Sequence, residues 1–330
     1  MALPLIAPML ATPGVLPPAA QDAQWAYETK QDGQRAVVYL AGDGSVVLRA
    51  RSGEDITAAY PELAALGTAL GDTPAVLDGE VLALDADGRA DFQSLQSRMG
   101  LAHAPGRAAQ KAAREPVHLA LFDVLHLAGR ELLGEPYRRR RAALESLGLA
   151  GPFWSTPGAL VGHGEEALRA TREHGLEGLV CKRLDSRYEP GIRSRAWIKI
   201  RNMRGVDVVV GGWQPGKGRL TGLPGSLLLG QFDGAGRLRY VGNVGTGWSE
   251  AERAELAALL RRYASDAAPF DPVPPVAPGA GVRWVLPRLV GEVRHSTRTR
   301  AGLLRQPSWL RLRQDLTPEE SAALLPEELR

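Results

Sequence analysis

The sequence has almost no cysteine, since Cys181 is the single one among 330 residues. One thiol cannot form an intrachain disulfide, and it cannot supply a zinc site built from several cysteines, so both are excluded. Such scarcity is typical of proteins that fold in a reducing compartment.

The sequence also lacks a long hydrophobic run at its N-terminus. The apolar segment MALPLIAPML is short, two prolines interrupt it, and neither a preceding basic residue nor a small-residue cleavage site accompanies it. A signal peptide needs both of those features, and a spanning helix needs about 20 apolar residues. We therefore expect no signal peptide and no membrane span, and a cytoplasmic protein.

A strong excess of charge is absent as well, because the formal net charge is only +3. The composition, 44% hydrophobic and 23% charged, suits a folded chain of two domains. The basic charge is nevertheless concentrated: residues 201–313 contain 17 Lys and Arg against 8 Asp and Glu. A solvated surface explains any single arginine, but the regional excess favours a polyanionic partner such as nucleic acid.

Alternation of hydrophobic residues predicts antiparallel strands in the first part of the chain. The segments AVVYLAG, SVVLRAR and AVLDGEVLALDADG alternate β-forming residues and end in Gly or Asp turns. Two others, PELAALGTAL and YRRRRAALESLGL, repeat apolar residues at helical intervals. We predict an α+β fold in which residues 1–202 form antiparallel sheets with flanking helices.

After residue 201 the pattern changes to short strands joined by glycine-rich turns. One helical segment, EAERAELAALLRRYA, interrupts them. About five strands with one helix, within roughly a hundred residues, are typical of a small barrel of the OB type. We place the boundary at residues 202–206 and expect a C-terminal OB-fold β-barrel over residues 203–330.

Six short strings combine charged residues with a strand or a turn. The first, KQDGQR at residues 30–35, places Lys30 after a strand-like segment and beside a glycine turn. The others, in chain order, are RARSGED (49–55), LDGE (77–80), LFDVL (121–125), EGLVCK (177–182) and WIKIR (197–201). Each alone fits an ordinary turn, a core aromatic or a solvated strand face. All of them in one order make chance a poor explanation.

The series resembles the nucleotidyltransferase motifs of ATP-dependent DNA ligases, in the superfamily that also contains RNA ligases and mRNA capping enzymes. Residues 91–98, 177–201 and 304–315 further resemble the bacterial ligases of non-homologous end joining, the standalone LigC type and the ligase module of LigD. The resemblance covers nearly the whole chain.

The resemblance implies that Lys30 attacks ATP and carries the AMP. A phosphoramidate requires a neutral amine, whereas the pKa of a free lysine is about 10.4. Neighbouring cations lower such a pKa, and the candidates are Arg35, Lys199 and Arg201, together with partial burial and bound metal. Lys199 and Arg201 alternate on one strand, so both can reach the α-phosphate and stabilise its developing charge.

Acidic and aromatic residues complete the expected nucleotide site. Glu80 and Glu177 offer hard oxygen ligands for Mg²⁺ or Mn²⁺. By resemblance, Glu80 also accepts from a ribose hydroxyl, Phe122 stacks on adenine and Glu28 lies at the adenine amino edge.

The same resemblance assigns further residues to the reaction. It places Arg35 on the ribose side and Arg51 at the 5′-phosphate of the nick. Asp32 belongs by motif to the catalytic group, and Val180 and Lys182 to the nucleotide-binding group.

The last motif of the family orients the departing pyrophosphate, and its candidates here are Arg313 and Asp315. Arg305 is a further candidate and a candidate contact for DNA. The usual Arg-x-Asp-Lys reads RQDL at residues 313–316, and Arg201 stands where lysine is common. Arginine keeps the charge with a different geometry, so these departures concern the efficiency of adenylation and not the reaction class.

We therefore predict an ATP-dependent DNA ligase that seals 5′-phosphate/3′-hydroxyl nicks in repair or end joining. Its substrate is nicked duplex DNA, it is a monomer, and the family suggests a Ku-type end-binding partner. The alternatives are an RNA ligase or GTP-specific capping enzyme, and a non-catalytic nucleic-acid binder. Lys30, Glu80, Glu177 and Lys199 together argue against the binder, since binding alone needs none of them.

Overall fold

The chain divides between Asn202 and Met203 into two units, each with its own sheet structure and hydrophobic core. A computed structural model of the chain describes residues 3–275 and 281–323. Within those ranges, no helix combines the length and the apolar character that crossing a bilayer requires.

The first unit is built mainly of strands. They are β1 (Leu10–Pro13), β2 (Trp25–Thr29), β3 (Gln34–Leu40), β4 (Val46–Ala50), β5 (Ala75–Ala83), β6 (Val117–Leu127), β7 (Arg130–Glu131), β8 (Trp154–Ser155), β9 (Ala159–Val161), β10 (Gly178–Arg183) and β11 (Arg193–Arg201). The α-helices are α1 (Phe92–Gln96), α2 (Pro105–Arg114), α3 (Tyr137–Ser146) and α4 (Gly164–Glu173). Short 3-10 helices cover Ala19–Gln24, Thr57–Ala59, Pro61–Thr68 and Leu101–His103.

These strands form two sheets. One has the order β1-β11-β10-β2-β9, and the other has the order β4-β3-β5-β6-β7 with β8 paired to β6. The pairings are antiparallel except for β1 with β11 and β6 with β8, which are parallel. The sequence predicted the antiparallel hairpins but not the parallel contact of β1, because a four-residue strand has too little alternation to be recognised.

Strand β3 is buried on both faces. Val38 and Leu40 lie in one core, whereas Val37 and Tyr39 lie in a second, as the alternation of side chains along a strand requires. The second core also contains Trp197 from β11 of the other sheet. It therefore joins the two sheets, and the candidate site described below borders on it.

The basic helix predicted from YRRRRAALESLGL is present as α3 and is fixed to β6 by a buried ion pair. Arg140 donates to both carboxylate oxygens of Asp123 at 2.9 and 3.0 Å, and neither side chain is exposed. A bidentate pair of this kind restricts both partners in direction as well as distance. The helix therefore has a fixed position, and two of its other side chains reach the candidate site.

The second unit contains β12 (Arg204–Pro215), β13 (Pro224–Phe232), β14 (Leu238–Val244), α5 (Glu250–Arg262), β15 (Ala264–Ser265), β16 (Arg283–His295), β17 (Ser308–Leu312) and α6 (Pro318–Ala323). Its sheet has the order β14-β13-β12-β16-β15, with β17 paired to β16, and all pairings are antiparallel. The predicted helix is α5, which begins with a capping box formed by Ser249 and Glu252. The predicted helical segment PELAALGTAL is a 3-10 helix.

Candidate active site

A cavity of about 210 Å³ opens in the first unit beside the core that joins its two sheets. Side chains of both sheets line it, which are Leu10, Ala11, Glu28, Thr29, Lys30, Gln31, Arg35, Arg51, Glu80, Phe122, Val180, Lys182, Arg193, Trp197 and Lys199. Residues far apart in sequence thus share one space because β2, β10 and β11 are neighbours in one sheet and β3, β5 and β6 in the other.

Lys30 directly follows β2, and its backbone N–H donates to the carbonyl of Gly178 at 2.9 Å. Its Nζ donates to the carboxylate of Glu177, which precedes β10. The other oxygen of Glu177 lies 3.3 Å from Nε of Arg201. One carboxylate therefore holds two cations, an arrangement that sequence reasoning did not foresee because it assigned Glu177 to metal.

Glu80 on β5 lies opposite Arg35 of β3 in the sheet register. Burial raises the pKa of its carboxyl to about 7, and the positive charges of Arg35 and Lys30 oppose this rise. Burial disfavours the charged form of a carboxyl. Glu80 is therefore a group whose charge depends on what enters the cavity.

Side chains alternate along a strand, so Trp197, Lys199 and Arg201 lie on the same face of β11. Burial lowers the pKa of the Lys199 amine, and the nearby charges of Arg201, Arg193, Lys30 and Arg51 lower it further. Such a cluster of cations attracts a polyphosphate.

A network of buried polar groups surrounds Glu28, which lines another part of the cavity. Nζ of Lys182 lies 2.7 Å from the Glu28 carboxylate, Tyr137 donates to that carboxylate, and NH1 of Arg141 lies 3.7 Å from it. Burial lowers the pKa of Lys182, although Glu28 opposes the shift. The Lys182 amine also lies 4.5 Å from the ring centre of Phe122.

Arg35 is held by a buried carboxylate rather than left free. Its Nε and NH2 each donate to Asp78 at 2.6 Å, and its guanidinium carbon lies 4.6 Å from the centre of the Phe122 ring. The hydroxyl of Tyr188 also donates to Asp78. Asp78 was not selected from the sequence, although it stands two residues before Glu80 on β5.

Of the other predicted residues, Val180, Lys182 and Arg51 line the cavity, whereas Asp32 lies in the turn between β2 and β3, outside that lining. The residues missed are of two kinds. Trp197 stands two residues before Lys199, so alternation along β11 was a usable signal. Tyr137 and Arg141 gave none, because only the fold brings α3 to Glu28.

The remaining candidates lie in the second unit. Arg313 donates to both carboxylate oxygens of Asp315 at 2.9 and 2.8 Å, and its NH1 donates to Asp207 at 2.9 Å. The backbone of Arg305 pairs with Thr297, to whose carbonyl its N–H donates at 2.9 Å. Arg313 and Asp315 therefore act as a single hydrogen-bonded unit.

Comparison with known proteins identifies the family. Residues 8–201 match the ATP dependent DNA ligase domain, and residues 221–316 match the ATP dependent DNA ligase C terminal region. The multifunctional non-homologous end joining DNA repair protein LigD of Mycobacterium tuberculosis is 44% identical over 315 residues, which are 96% of this chain and 39% of that protein. A DNA ligase of Thermococcus onnurineus is 33% identical over 309 residues, 91% of this chain and 53% of that one.

Solved structures agree with these relatives. The ligase domain of M. tuberculosis LigD has 43% identity and a TM-score of 0.56, over 96% of this chain and 97% of that one. A mycobacterial DNA ligase D in complex with ATP and MES gives the same values. The chain spans about two fifths of the length of the LigD proteins that it matches. The resemblance and the fold class predicted from the sequence are confirmed, and the chain belongs to the family of ATP-dependent DNA ligases.

Proposed function

We propose that this chain seals nicks between a 5′-phosphate and a 3′-hydroxyl in duplex DNA and carries AMP covalently on Lys30. The observation that carries the proposal is the position of the Lys30 amine, which shares a cavity with Glu80 and Lys199 and pairs with Glu177. A nucleophilic amine, oxygen ligands for metal and a cation in one space are what nucleotide transfer to lysine requires.

In the first step the neutral Nζ of Lys30 attacks the α-phosphorus of ATP. An N–P bond forms, the bond from the α-phosphorus to pyrophosphate breaks, pyrophosphate leaves, and the proton that the nitrogen loses passes to water. The contact of Lys30 with Glu177 must loosen before this step, because we assign the same carboxylate to the metal. Lys199 and Arg201 stabilise the charge that gathers on the phosphate oxygens, and we assign Asp32 to the same catalytic group.

Glu80 and Glu177 are the residues that would hold Mg²⁺ or Mn²⁺. They are close enough for the charge of Glu177 to add to burial in raising the pKa of Glu80. Among the described residues, no group of three or more His, Cys, Asp or Glu is placed so that it could hold a metal ion. Two carboxylates suffice for Mg²⁺, since substrate phosphates and water complete its ligands. Bound there, the ion supplies positive charge to the triphosphate.

The network around Glu28 supports a preference for ATP over GTP. Adenine carries an amino donor at C6 and an acceptor at N1, which suit the carboxylate of Glu28 and the amine of Lys182. Guanine has a carbonyl and an N–H at these positions, so both contacts become unfavourable. Phe122 and Val180 then pack on the purine, and Arg35 with Glu80 lies toward the ribose.

Two further steps complete sealing. AMP passes from Lys30 to the 5′-phosphate of the nick, which Arg51 contacts, and the 3′-hydroxyl then attacks that phosphate and expels AMP. In our proposal residues 1–202 form the adenylation domain and residues 203–330 the OB-fold domain. Arg313 and Asp315 of the latter orient pyrophosphate in the first step, and Arg305 contacts DNA.

The biological setting follows from the relatives alone. Because the LigD proteins that it resembles are named for non-homologous end joining, we propose that this chain serves end joining with a Ku-type partner. We further propose that it acts as a monomer in the cytoplasm.

The test begins with purified protein, Mg²⁺ or Mn²⁺, and ATP or GTP labelled at the α-phosphate. We expect label on wild type from ATP alone, none on Lys30→Ala, and sealing of a nicked duplex by wild type. Label from GTP would indicate a capping-type enzyme, and sealing confined to RNA nicks would indicate an RNA ligase. If neither nucleotide forms an adduct, the protein is a non-catalytic nucleic-acid binder.

A further inference from the structure

Helix α2 presents three basic side chains on one face. Arg107, Lys111 and Arg114 have the spacing i, i+4 and i+7, which places them on the same side of a helix. The helix PGRAAQKAAR contains no acidic residue. Arg107 and Arg114 are exposed, and in the part of the chain that the structure describes neither forms an ion pair. Lys111 lies 3.1 Å from Glu115.

A shallow cavity of about 200 Å³ lies along this face. Besides the three basic residues, it is lined by Ser97, Leu101, Gln110 and the acidic Glu115, which is the partner of Lys111. From Arg107 to Arg114 the helix rises by roughly 10 Å, which equals the rise along the duplex axis over about three phosphates of one DNA strand. Because Lys111 is paired with Glu115, the two exposed arginines and the neutral donors of Ser97 and Gln110 are the groups that suit a phosphodiester backbone.

A buried arginine connects this helix to the segment that follows Arg51. The guanidinium of Arg98 donates to the carbonyl of Ala59 and to the carbonyl of Glu115, both at 2.8 Å, and pairs with Glu62. Glu115 caps the C-terminus of α2. Arg98 is only 1% exposed, so the link is rigid.

A second contact, on the surface, also connects the start of α2 with the loop that bears Arg51. Nε2 of His103, just before α2, lies 3.8 Å from the carboxylate of Glu54 in the loop that bears Arg51. Arg51 itself lines the nucleotide cavity. The basic face of α2 and the rim of the cavity therefore belong to one region of the first unit.

We propose that the basic face of α2 (Arg107, Lys111, Arg114) binds the phosphates of the duplex that flanks the nick. The inference rests on the proposed function, since it takes the 5′-phosphate of that nick to meet Arg51. Contacts to the backbone are independent of sequence. The face lies outside the nucleotide cavity, so it serves DNA binding and not the transfer of AMP to Lys30.

The test compares two variants that each lose two arginines from a ten-residue helix of the same unit. Arg107→Ala with Arg114→Ala removes the exposed cations of α2. Arg169→Ala with Arg172→Ala is the control, because α4 carries these arginines among Glu165, Glu166 and Glu173. Binding to a nicked duplex that is already adenylated is measured by fluorescence anisotropy over a range of salt concentrations.

We expect the α2 variant to lower the slope of log K against log salt by about 2, since each phosphate contact contributes about 0.9. At low salt its affinity should fall about tenfold or more, and Arg107→Lys with Arg114→Lys should restore both quantities. The α4 control should match wild type. Thermal melting of all variants shows that they are folded.

Self-adenylation with labelled ATP separates the two ideas. If wild type forms no adduct, the proposed function fails. If wild type and all variants form the adduct, and the α2 variant binds nicked DNA like wild type at every salt concentration, this inference fails while the proposed function stands.

Discussion

The amine of Lys30 donates a hydrogen bond to the carboxylate of Glu177, although 147 residues separate them in sequence. The same carboxylate lies 3.3 Å from Arg201. The described state is therefore one in which the Lys30 amine is held by a carboxylate that also faces Arg201. Loading of nucleotide and metal must redistribute these partners.

Glu177→Gln tests this relationship. The amide keeps the shape but loses the charge that we assign to metal, so the half-saturating Mg²⁺ for adenylation should rise by at least about tenfold. Labelled adduct formation against Mg²⁺ concentration measures it. The variant Glu166→Gln, on the exposed surface of α4, is the control, and an unchanged Mg²⁺ requirement would show that Glu177 holds Lys30 and Arg201 but no metal ion.

Adenylation should depend on pH through Glu80. Burial raises the pKa of this carboxyl to about 7, so below pH 7 it is neutral and a metal ion must displace a proton. The apparent Mg²⁺ affinity should therefore fall by about tenfold per pH unit below 7 and level off above it. The half-saturating Mg²⁺ concentration for adenylation, measured at pH 6, 7 and 8, tests this prediction.

The matched variant Glu80→Gln should show the same Mg²⁺ affinity at all three pH values, at a lower level. A wild type whose Mg²⁺ affinity stays constant between pH 6 and 7 contradicts this prediction.

Tyr137 and Arg141 should act as positioning residues, because they hold the carboxylate of Glu28 from α3. The single variants Arg141→Gln and Tyr137→Phe keep every residue that lines the cavity, but each removes one contact that holds the Glu28 carboxylate. We expect the KM for ATP to rise about tenfold with a smaller change in kcat, and the preference for ATP over GTP to fall, since one hydrogen bond to a charged group contributes about 1.5–3 kcal/mol. A fall in kcat alone, with nucleotide preference intact, would point to a purely structural role.

Arg313→Ala should separate the first step from the last. Loss of this guanidinium removes the contact that we assign to pyrophosphate, so adenylation should slow by at least about a hundredfold. Sealing of a nick that is already adenylated should stay within a few fold of wild type. An equal loss in both assays for Arg313→Ala would refute the assignment. Asp207→Asn is a second useful variant, since it releases Arg313 from one of its two carboxylate partners.

Gly178 should tolerate no side chain. Its φ is +142°, and a Cβ would lie 2.0 Å from the carbonyl oxygen of Ile200. Gly178→Ala should therefore reduce the free energy of unfolding by about 2 kcal/mol or more, through backbone strain and displacement of β11. Gly88→Ala has a positive φ but open space around it, so urea denaturation of this control separates strain from collision.

Many residues that line the candidate site could be selected from the sequence, because they stand in short segments with the alternation of a strand. Lys30, Glu80 and Lys199 were selected in this way, and alternation along β11 placed Lys199 and Arg201 on one face. The hairpins around β3 to β5 and the helix α5 followed from the same local rules, since alternation and capping act within a few residues.

Only the tertiary structure decided how the strings combine. The pairing of Lys30 with Glu177 depends on β2 lying beside β10, and the hold of Tyr137 and Arg141 on Glu28 depends on where α3 packs. These contacts join residues more than a hundred positions apart, and local periodicity carries no information at that separation. The sequence by itself determined which chemical groups are present and which strand faces they occupy, whereas packing of the two sheets decided which charges meet, because burial and distance set their strength.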